Sequence, residues 1–210
     1  RQHRARTQRP HAAVAAAAYR ESMAAVERVF SDLEAGNPPK IAALKPIVSR
    51  LLEQIVAQPE AMLIQFCLDK VRRFDATLAN HGMDVCVLTL ILAVENGCAE
   101  TDLEALGLGA LLHDVGKSLA PLGTTGRVVA SLAEGSAAGD WLEARAHGRV
   151  APFARMGAYL TYTELGAQRL ERLGSHPMVC AWAREHHLPE NEWTVPQTIG
   201  RVLAEADGAA

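Results

Sequence analysis

The segment that decides the fold is Ala110-Leu111-Leu112-His113-Asp114-Val115-Gly116-Lys117. Its apolar first half predicts a buried helix that ends with a histidine and a carboxylate side by side. Because neighbouring helix positions point about 100° apart, His113 and Asp114 can share one metal ion only where the helix faces a cavity. Gly116 is predicted to be the left-handed residue just past the helix end, which would bring Lys117 beside that ion. The alternative is a core histidine followed by a helix cap.

The composition limits the class of protein. The 210 residues are 49% apolar with a formal net charge of -3, which fits an ordinary soluble core and gives no general reason to expect a nucleic-acid polymer as partner. Scattered cysteines without a Cys-x-x-Cys pair predict free buried thiols in a reducing compartment, so we expect a cytoplasmic location. The longest apolar stretch, residues 85–94, is too short to cross a bilayer, and we therefore expect no membrane span.

The N-terminal part is predicted to be a helical extension. Residues 1–10 carry four arginines and no acidic residue, and we expect a disordered leader there. Apolar spacing then predicts helices over 11–35, through Val56, and from Pro59 to about Arg73. We therefore divide the chain into a leader with a helical extension (1–60) and a metal domain (61–210). The N-terminal helices are expected to pack on that domain; docking of a partner protein or a second copy is the alternative.

Two consecutive helices carry the first candidate ligands. A wide apolar face predicts a helix over 77–96, with His81 in its first turns. Thr101-Asp102-Leu103-Glu104 has the pattern of a capping box, which predicts the start of the helix that leads to His113. If these two helices are antiparallel, His81 and His113 face one another across a cavity.

The second half supplies a double histidine and a last carboxylate. Glycines and a proline are predicted to break any long helix over 118–154, and helical character returns over 156–173. A helix starting near Pro177 should end at His186-His187, and imidazole is the commonest metal ligand near neutral pH. The final helix ends on Asp207, where the helix dipole disfavours an acid by about 0.3–1 kcal/mol unless a cation offsets the cost.

Together these residues predict a hydrolytic metal site. The ligands are nitrogen and oxygen atoms without a thiolate, which favours iron, manganese or a similar divalent transition metal over structural zinc. One or two such ions can activate water and clamp a phosphoryl group. Lys117 would then neutralise the charge that builds on the phosphate oxygens.

The order of these residues resembles the HD superfamily of metal-dependent phosphohydrolases, and within it the HD-GYP branch of cyclic di-GMP phosphodiesterases. The resemblance runs from about Met62 to the last residue. It rests on Asn80-His81, on residues 110–117, on Tyr162-Thr163-Glu164-Leu165-Gly166, on His186-His187 and on Ala206-Asp207. It implies an all-α HD-domain helical bundle with the metal site at its centre.

The resemblance also implies roles for single residues. His81, His113, Asp114 and Asp207 would hold one ion. Asp114 would be shared with a second ion bound by His186 and His187, and by a histidine of the third segment. The chain departs from the pattern at that third-segment histidine, which is Tyr162 here. It also departs at the Gly-Tyr-Pro triplet, which is Thr194-Val195-Pro196.

The leading hypothesis is therefore a metal-dependent phosphodiesterase that hydrolyses cyclic di-GMP or a related nucleotide, with Asp114 and Lys117 as its catalytic residues. One alternative is a weak or inactive HD-GYP-like module that binds or senses a nucleotide and regulates a partner. A second alternative is a general HD nucleotide phosphohydrolase. Residues that would bind the substrate are not identified by the sequence.

Overall fold

The computed structural model describes the backbone of residues 2–35, 37, 41–73, 77–120, 122–148 and 150–210, and side chains from residue 13 onward within those ranges, except that of Thr124. All regular structure in these ranges is helical, which confirms the all-α prediction. The α-helices are α1 (Gln2–Glu34), α2 (Lys45–Ala57), α3 (Pro59–Arg72), α4 (Leu78–Glu95), α5 (Glu100–Leu112), α6 (Gly116–Leu119), α7 (Thr124–Ala133), α8 (Ala137–Glu143), α9 (Ala151–Leu160), α10 (Tyr162–Arg172), α11 (Pro177–Glu185) and α12 (Gln197–Ala209).

Helix α4 is the centre of the bundle. It packs against α5 and α12 on the side of the candidate ligands and against α1, α2 and α3 on the other. By length and composition α4 could cross a membrane, yet more than half of it is buried inside the protein. Its apolar residues on several faces, such as Met83, Val87 and Leu90, are fully buried against neighbouring helices. The apolar character of α4 is therefore explained by its place in the core.

The N-terminal helices share one hydrophobic core with the rest of the protein. Tyr19, Val26 and Phe30 of α1 belong to the same buried cluster as Leu111 of α5 and Leu203 of α12. The backbone of residues 2–10 continues α1, so the expected disordered leader is helical instead. The division of the chain at residue 60 stays a prediction.

Two predicted helix boundaries are wrong, each for a local reason. Helix α5 begins at Glu100 after Ala99, so Thr101 lies inside the first turn and caps nothing. A hydroxyl cap does occur on α4, where Thr77 accepts a hydrogen bond from the backbone N–H of Asn80. The helical stretch expected over 156–173 is interrupted at Thr161, whose hydroxyl donates to the carbonyl of Gly157. Such a bond competes with the helical pattern and favours a bend.

Gly116 is not the left-handed residue that the sequence predicted. Its φ is not positive, and it opens α6 directly after the turn that follows α5. A Cβ on Gly116 would lie 1.8 Å from the carbonyl oxygen of Tyr162. The glycine is thus required by the close approach of α6 and α10, which brings Lys117 and Tyr162 to the same side of the bundle. Residues 118–154 contain the end of α6, the short helices α7 and α8 and the start of α9, with Gly135 at a positive φ between α7 and α8.

Candidate metal centre

His81 and His113 face one another across the contact of α4 and α5, as predicted. The two helices touch closely beside them, because a Cβ on Gly82 would lie 2.6 Å from the carbonyl oxygen of Leu111. The two imidazole rings meet edge to face with centroids 5.2 Å apart. His113 is almost fully buried, whereas about a third of the His81 side chain is exposed.

Two carboxylates converge on this pair of histidines. The Nε2 atom of His81 lies 3.0 Å from Oδ1 of Asp207 and 3.8 Å from Oδ2 of Asp114. The Nε2 atom of His113 lies 3.6 Å and 3.5 Å from the same two oxygens. Nitrogen and oxygen atoms that each lie about 2.0–2.2 Å from one shared ion are separated from each other by distances similar to these nitrogen–oxygen distances. The four side chains are therefore arranged as ligands of one ion.

The double histidine lies on the other side of Asp114. The Nε2 atom of His186 is 3.5 Å from Oδ1 of Asp114, and its ring is 5.0 Å from that of His113. Two groups of side chains in the described region could each hold a metal ion: His81, His113 and Asp207, and His113, Asp114 and His186. His187 belongs to neither group.

The buried histidines have their nitrogen lone pairs turned towards the cluster. Nδ1 of His113 lies 2.7 Å from the carbonyl oxygen of Ala110, and Nδ1 of His186 lies 3.2 Å from that of Trp182. A carbonyl oxygen only accepts, so each Nδ1 carries the proton and each neutral ring offers Nε2 as an acceptor. Burial lowers the pKa of His113 to about 4, which keeps this ring neutral at physiological pH. Metal-binding histidines are commonly oriented in this way.

The carboxylate of Asp114 is buried and incompletely satisfied. Burial opposes its ionisation, but the positive charge and hydrogen bond of Lys117 help to hold its pKa below the ordinary value. Its Oδ1 atom nevertheless has no hydrogen-bond donor. A buried oxygen without a donor costs about 1–3 kcal/mol. A bound cation would satisfy it, so the donor set and this oxygen both fit a divalent metal ion.

Asp207, His81 and Lys117 form the partly exposed side of the site. Asp207 also resists protonation: its burial is outweighed by the bond to His81, and its pKa is lowered. The same bond outweighs the partial burial of His81 and raises the pKa of that imidazole. Lys117 places Nζ 2.5 Å from Oδ2 of Asp114, with 30% of its side chain exposed. The site is therefore open to solvent on the side of His81, Lys117 and Asp207.

Tyr162 points into the site, as the sequence predicted. Its hydroxyl is 3.3 Å from Nε2 of His186 and also forms a short hydrogen bond with Nε2 of His187. Lys117 lies over the tyrosine ring, with Nζ 4.8 Å from the centroid. Burial and the nearby charge of Asp114 raise the pKa of Tyr162 well above its ordinary value, which favours the neutral phenol.

One residue that supports the site was not found from the sequence. Glu185 is buried immediately before the double histidine and accepts hydrogen bonds from the backbone N–H and the hydroxyl of Thr194. It thereby joins the end of α11 to the Thr194-Val195-Pro196 segment, and Pro196 leads into α12 and Asp207. A buried glutamate that caps a loop nine residues away has no local signal in the sequence.

Comparison with known proteins relates this site to one family. A cyclic di-GMP phosphodiesterase of Pseudomonas aeruginosa, PA4108, is 29% identical over 98 residues, which are 47% of this chain and 23% of that protein. This chain thus matches under a quarter of the relative's length. A comparison with solved structures finds no significant match. The model of the HD domain family matches residues 78–208, from the start of α4 to the last turn of α12. The match covers more than half of the chain and spans every candidate ligand, and the chain therefore belongs to the HD domain family.

Proposed function

We propose that this protein is a metal-dependent phosphodiesterase of the HD-GYP branch that hydrolyses cyclic di-GMP or a related nucleotide phosphodiester. The observation that carries the proposal is the convergence of His81, His113, Asp114 and Asp207 within ligand distance, next to a carboxylate oxygen that lacks a donor. Membership of the HD domain family supports the reaction class.

In this proposal His81, His113, Asp114 and Asp207 hold a divalent transition metal such as iron or manganese, and His186 and His187 line its other side. When bound, such an ion supplies Lewis acidity towards water and phosphate oxygens. The ammonium group of Lys117 contacts one of the two carboxylates, that of Asp114, and Asp207 has no lysine or arginine partner among the described ion pairs. The buried ring of His113 and its bond to Ala110 keep the ligand geometry ready for the ion.

Lys117 is the group that meets the substrate. Its ammonium is at the open side of the site and is anchored by Asp114. A phosphate that entered beside Asp114 would lie within reach of Nζ, which would neutralise the charge that develops on the phosphate oxygens. Lys117 is thus the proposed catalytic side chain, with Asp114 as the ligand that orients it.

The choice of substrate rests on the similarity to PA4108, whose name gives cyclic di-GMP as its substrate. Cyclic di-GMP is a soluble nucleotide, and the four cysteines are free, which agrees with the cytoplasmic location that we propose. A docking role of α1 to α3 for a partner protein or a second copy remains a proposal as well.

The second candidate is a sensor that binds a nucleotide without turnover. It is favoured by the Tyr162 hydroxyl, which bonds to both members of the double histidine, and by Thr194-Val195-Pro196 in place of Gly-Tyr-Pro. A general HD nucleotide phosphohydrolase would use the same metal ligands with another substrate.

One experiment separates these candidates. The purified protein is analysed for metal content, and hydrolysis of cyclic di-GMP and of simple nucleotides is followed on the same sample. Bound transition metal with cyclic di-GMP turnover is the expected result. Metal with binding but no turnover identifies the sensor, and metal with turnover of other nucleotides identifies the general phosphohydrolase. A protein that binds no metal under any loading condition contradicts all three.

A further inference from the structure

The double histidine is engaged by a side chain of the protein itself. The hydroxyl of Tyr162 lies between the two rings and contacts Nε2 of His186 and Nε2 of His187. The rings are close together, with centroids 4.3 Å apart, so an ion bound by both Nε2 atoms would have to lie near the same point. The phenol oxygen therefore takes the position from which a second ion would bind this pair.

The two candidate metal-binding groups also compete for one shared ligand. The two candidate groups of ligands have His113 in common. Its Nδ1 is bonded to the carbonyl of Ala110, which leaves Nε2 as its only free nitrogen. An imidazole nitrogen has one lone pair and binds one metal ion. The two groups therefore compete for Nε2 of His113 and cannot both be complete at the same time.

The tyrosine is held firmly in this place. The backbone of Tyr162 lies against Gly116, where a Cβ would approach its carbonyl to 1.8 Å. Lys117 covers the ring from one side, and Tyr159 lies 6.1 Å away on another. The ring is also largely buried. These contacts disfavour a rotation that would withdraw the hydroxyl and release the two histidines.

We propose that this site holds a single ion, that the Tyr162 hydroxyl excludes a second one, and that His187 is not a metal ligand in the native protein. The inference rests on the proposed function because it requires that a metal ion binds. It adds the number of ions and the residue that limits this number. Tyr162 thus determines the metal stoichiometry.

The test counts ions with Mn²⁺ alone as the probe. The full chain is stripped with a chelator, reloaded with Mn²⁺, freed of excess metal and analysed for bound metal; electron paramagnetic resonance separates isolated ions from magnetically coupled pairs. We expect one equivalent with the spectrum of an isolated ion in the native protein. Tyr162→His offers a third imidazole beside His186 and His187, and we expect two equivalents with a coupled spectrum.

Two variants serve as controls. Tyr159→His adds an imidazole next to Tyr162 without reaching the double histidine, so it should keep one equivalent. His187→Ala should leave the Mn²⁺ content of the native protein unchanged but remove the second ion from Tyr162→His. Thermal unfolding checks that each variant is folded, and if Tyr162→His does not fold, His187→Ala in the native chain decides.

The outcomes distinguish this inference from the function on which it rests. Two coupled ions in the native protein, or loss of the ion in His187→Ala, overturn the inference and leave the metal-dependent function standing. A folded Tyr162→His protein that still binds one ion also overturns it. A native protein that binds no Mn²⁺, and no iron under anaerobic loading, removes both the inference and the proposed function.

Discussion

The protein buries two polar clusters against α4, and they differ in how their negative charge is balanced. The Asp84 cluster consists of Tyr19, Asp69, Arg73 and Asp84; the ligand cluster consists of His81, His113, Asp114, His186 and Asp207. In the first, the guanidinium of Arg73 bonds to Asp84 and lies 2.7 Å from Asp69. In the second, Lys117 contacts Asp114, and the Nε2 atoms of His81 and His113 each lie within 3.8 Å of both Asp114 and Asp207.

The difference separates a structural role from a functional one. A buried carboxylate with a guanidinium partner needs no other cation. The ligand cluster lacks an equivalent internal partner, because Lys117 reaches only Oδ2 of Asp114 and is partly exposed. The two clusters lie one helical turn apart on α4, at His81 and Asp84, so burial alone does not distinguish the candidate metal site from the Asp84 cluster. The distinguishing feature is that Arg73 joins both carboxylates of the Asp84 cluster, whereas Lys117 contacts one carboxylate of the ligand cluster.

The largest effect is expected from removing Asp114. Asp114→Ala deletes the one carboxylate among the described residues that lies within 4 Å of His81, His113 and His186. We expect the metal content of the purified protein to fall to background, measured by elemental analysis. Asp84→Ala is the matched control, because it removes a buried carboxylate from the same region outside the ligand cluster, and the folded fraction should keep its metal. Unchanged metal in Asp114→Ala would refute the assignment of the ligand cluster.

A large loss of stability is expected from removing the internal cation of the Asp84 cluster. Arg73→Met leaves Asp69 and Asp84 without a guanidinium, and breaking a buried pair in this way costs about 3–5 kcal/mol. Because 18% of the Arg73 side chain is exposed, we expect a value near the lower end, about 3 kcal/mol, from urea unfolding.

Arg50→Met is the matched control for this prediction. Arg50 pairs with Glu21 on the surface, where both side chains are more than half exposed, so its loss should cost less than about 1 kcal/mol. Equal losses in the two variants would show that the Asp84 cluster contributes no more than a surface ion pair.

These clusters also show what the sequence could predict. The helices follow from apolar spacing and from local signals such as Pro59, which act within one turn of the residue. His81 and His113 could be placed face to face because consecutive helices joined by a short loop are usually antiparallel neighbours. Metal-binding residue types are few, so a candidate ligand set could be proposed from the sequence before the distances between its members were known.

The remaining features depend on contacts between distant segments. Arg73 and Asp84 are ordinary charged residues in the sequence, and only the packing of α1, α3 and α4 buries them together. The role of Gly116 was mistaken because its constraint comes from the backbone of Tyr162 and not from its own φ. Glu185 was missed for the same reason. A local sequence pattern does not indicate which distant residues a side chain will contact in the folded protein.

A kinetic effect is expected at the edge of the ligand cluster. Lys117→Ala should leave the metal content intact and lower phosphodiester turnover by roughly a hundredfold, as removal of an electrostatic stabiliser usually does. Lys45→Ala is the control, since Lys45 forms an exposed pair with Glu104 away from the site. If the protein is a sensor, neither the native chain nor the variant will turn over substrate. Equal, robust activity in both would exclude the proposed role of Lys117.

The smallest effect concerns the pH dependence of stability. Burial raises the pKa of Asp84 although Arg73 opposes this, so the folded state holds the Asp84 proton more tightly than the unfolded state. A carboxyl group with a raised pKa contributes stability that is fully present below its unfolded pKa, near 3.8, and is lost as the pH rises through the folded value. Asp84→Asn removes this titration while it keeps the shape of the side chain. As the pH rises just above 4, the native protein should therefore lose unfolding free energy relative to Asp84→Asn. Urea unfolding of both proteins at a series of pH values measures this difference. A shift in the opposite direction would mean that Arg73 lowers the pKa of Asp84 by more than burial raises it. The folded state would then favour the ionised carboxylate.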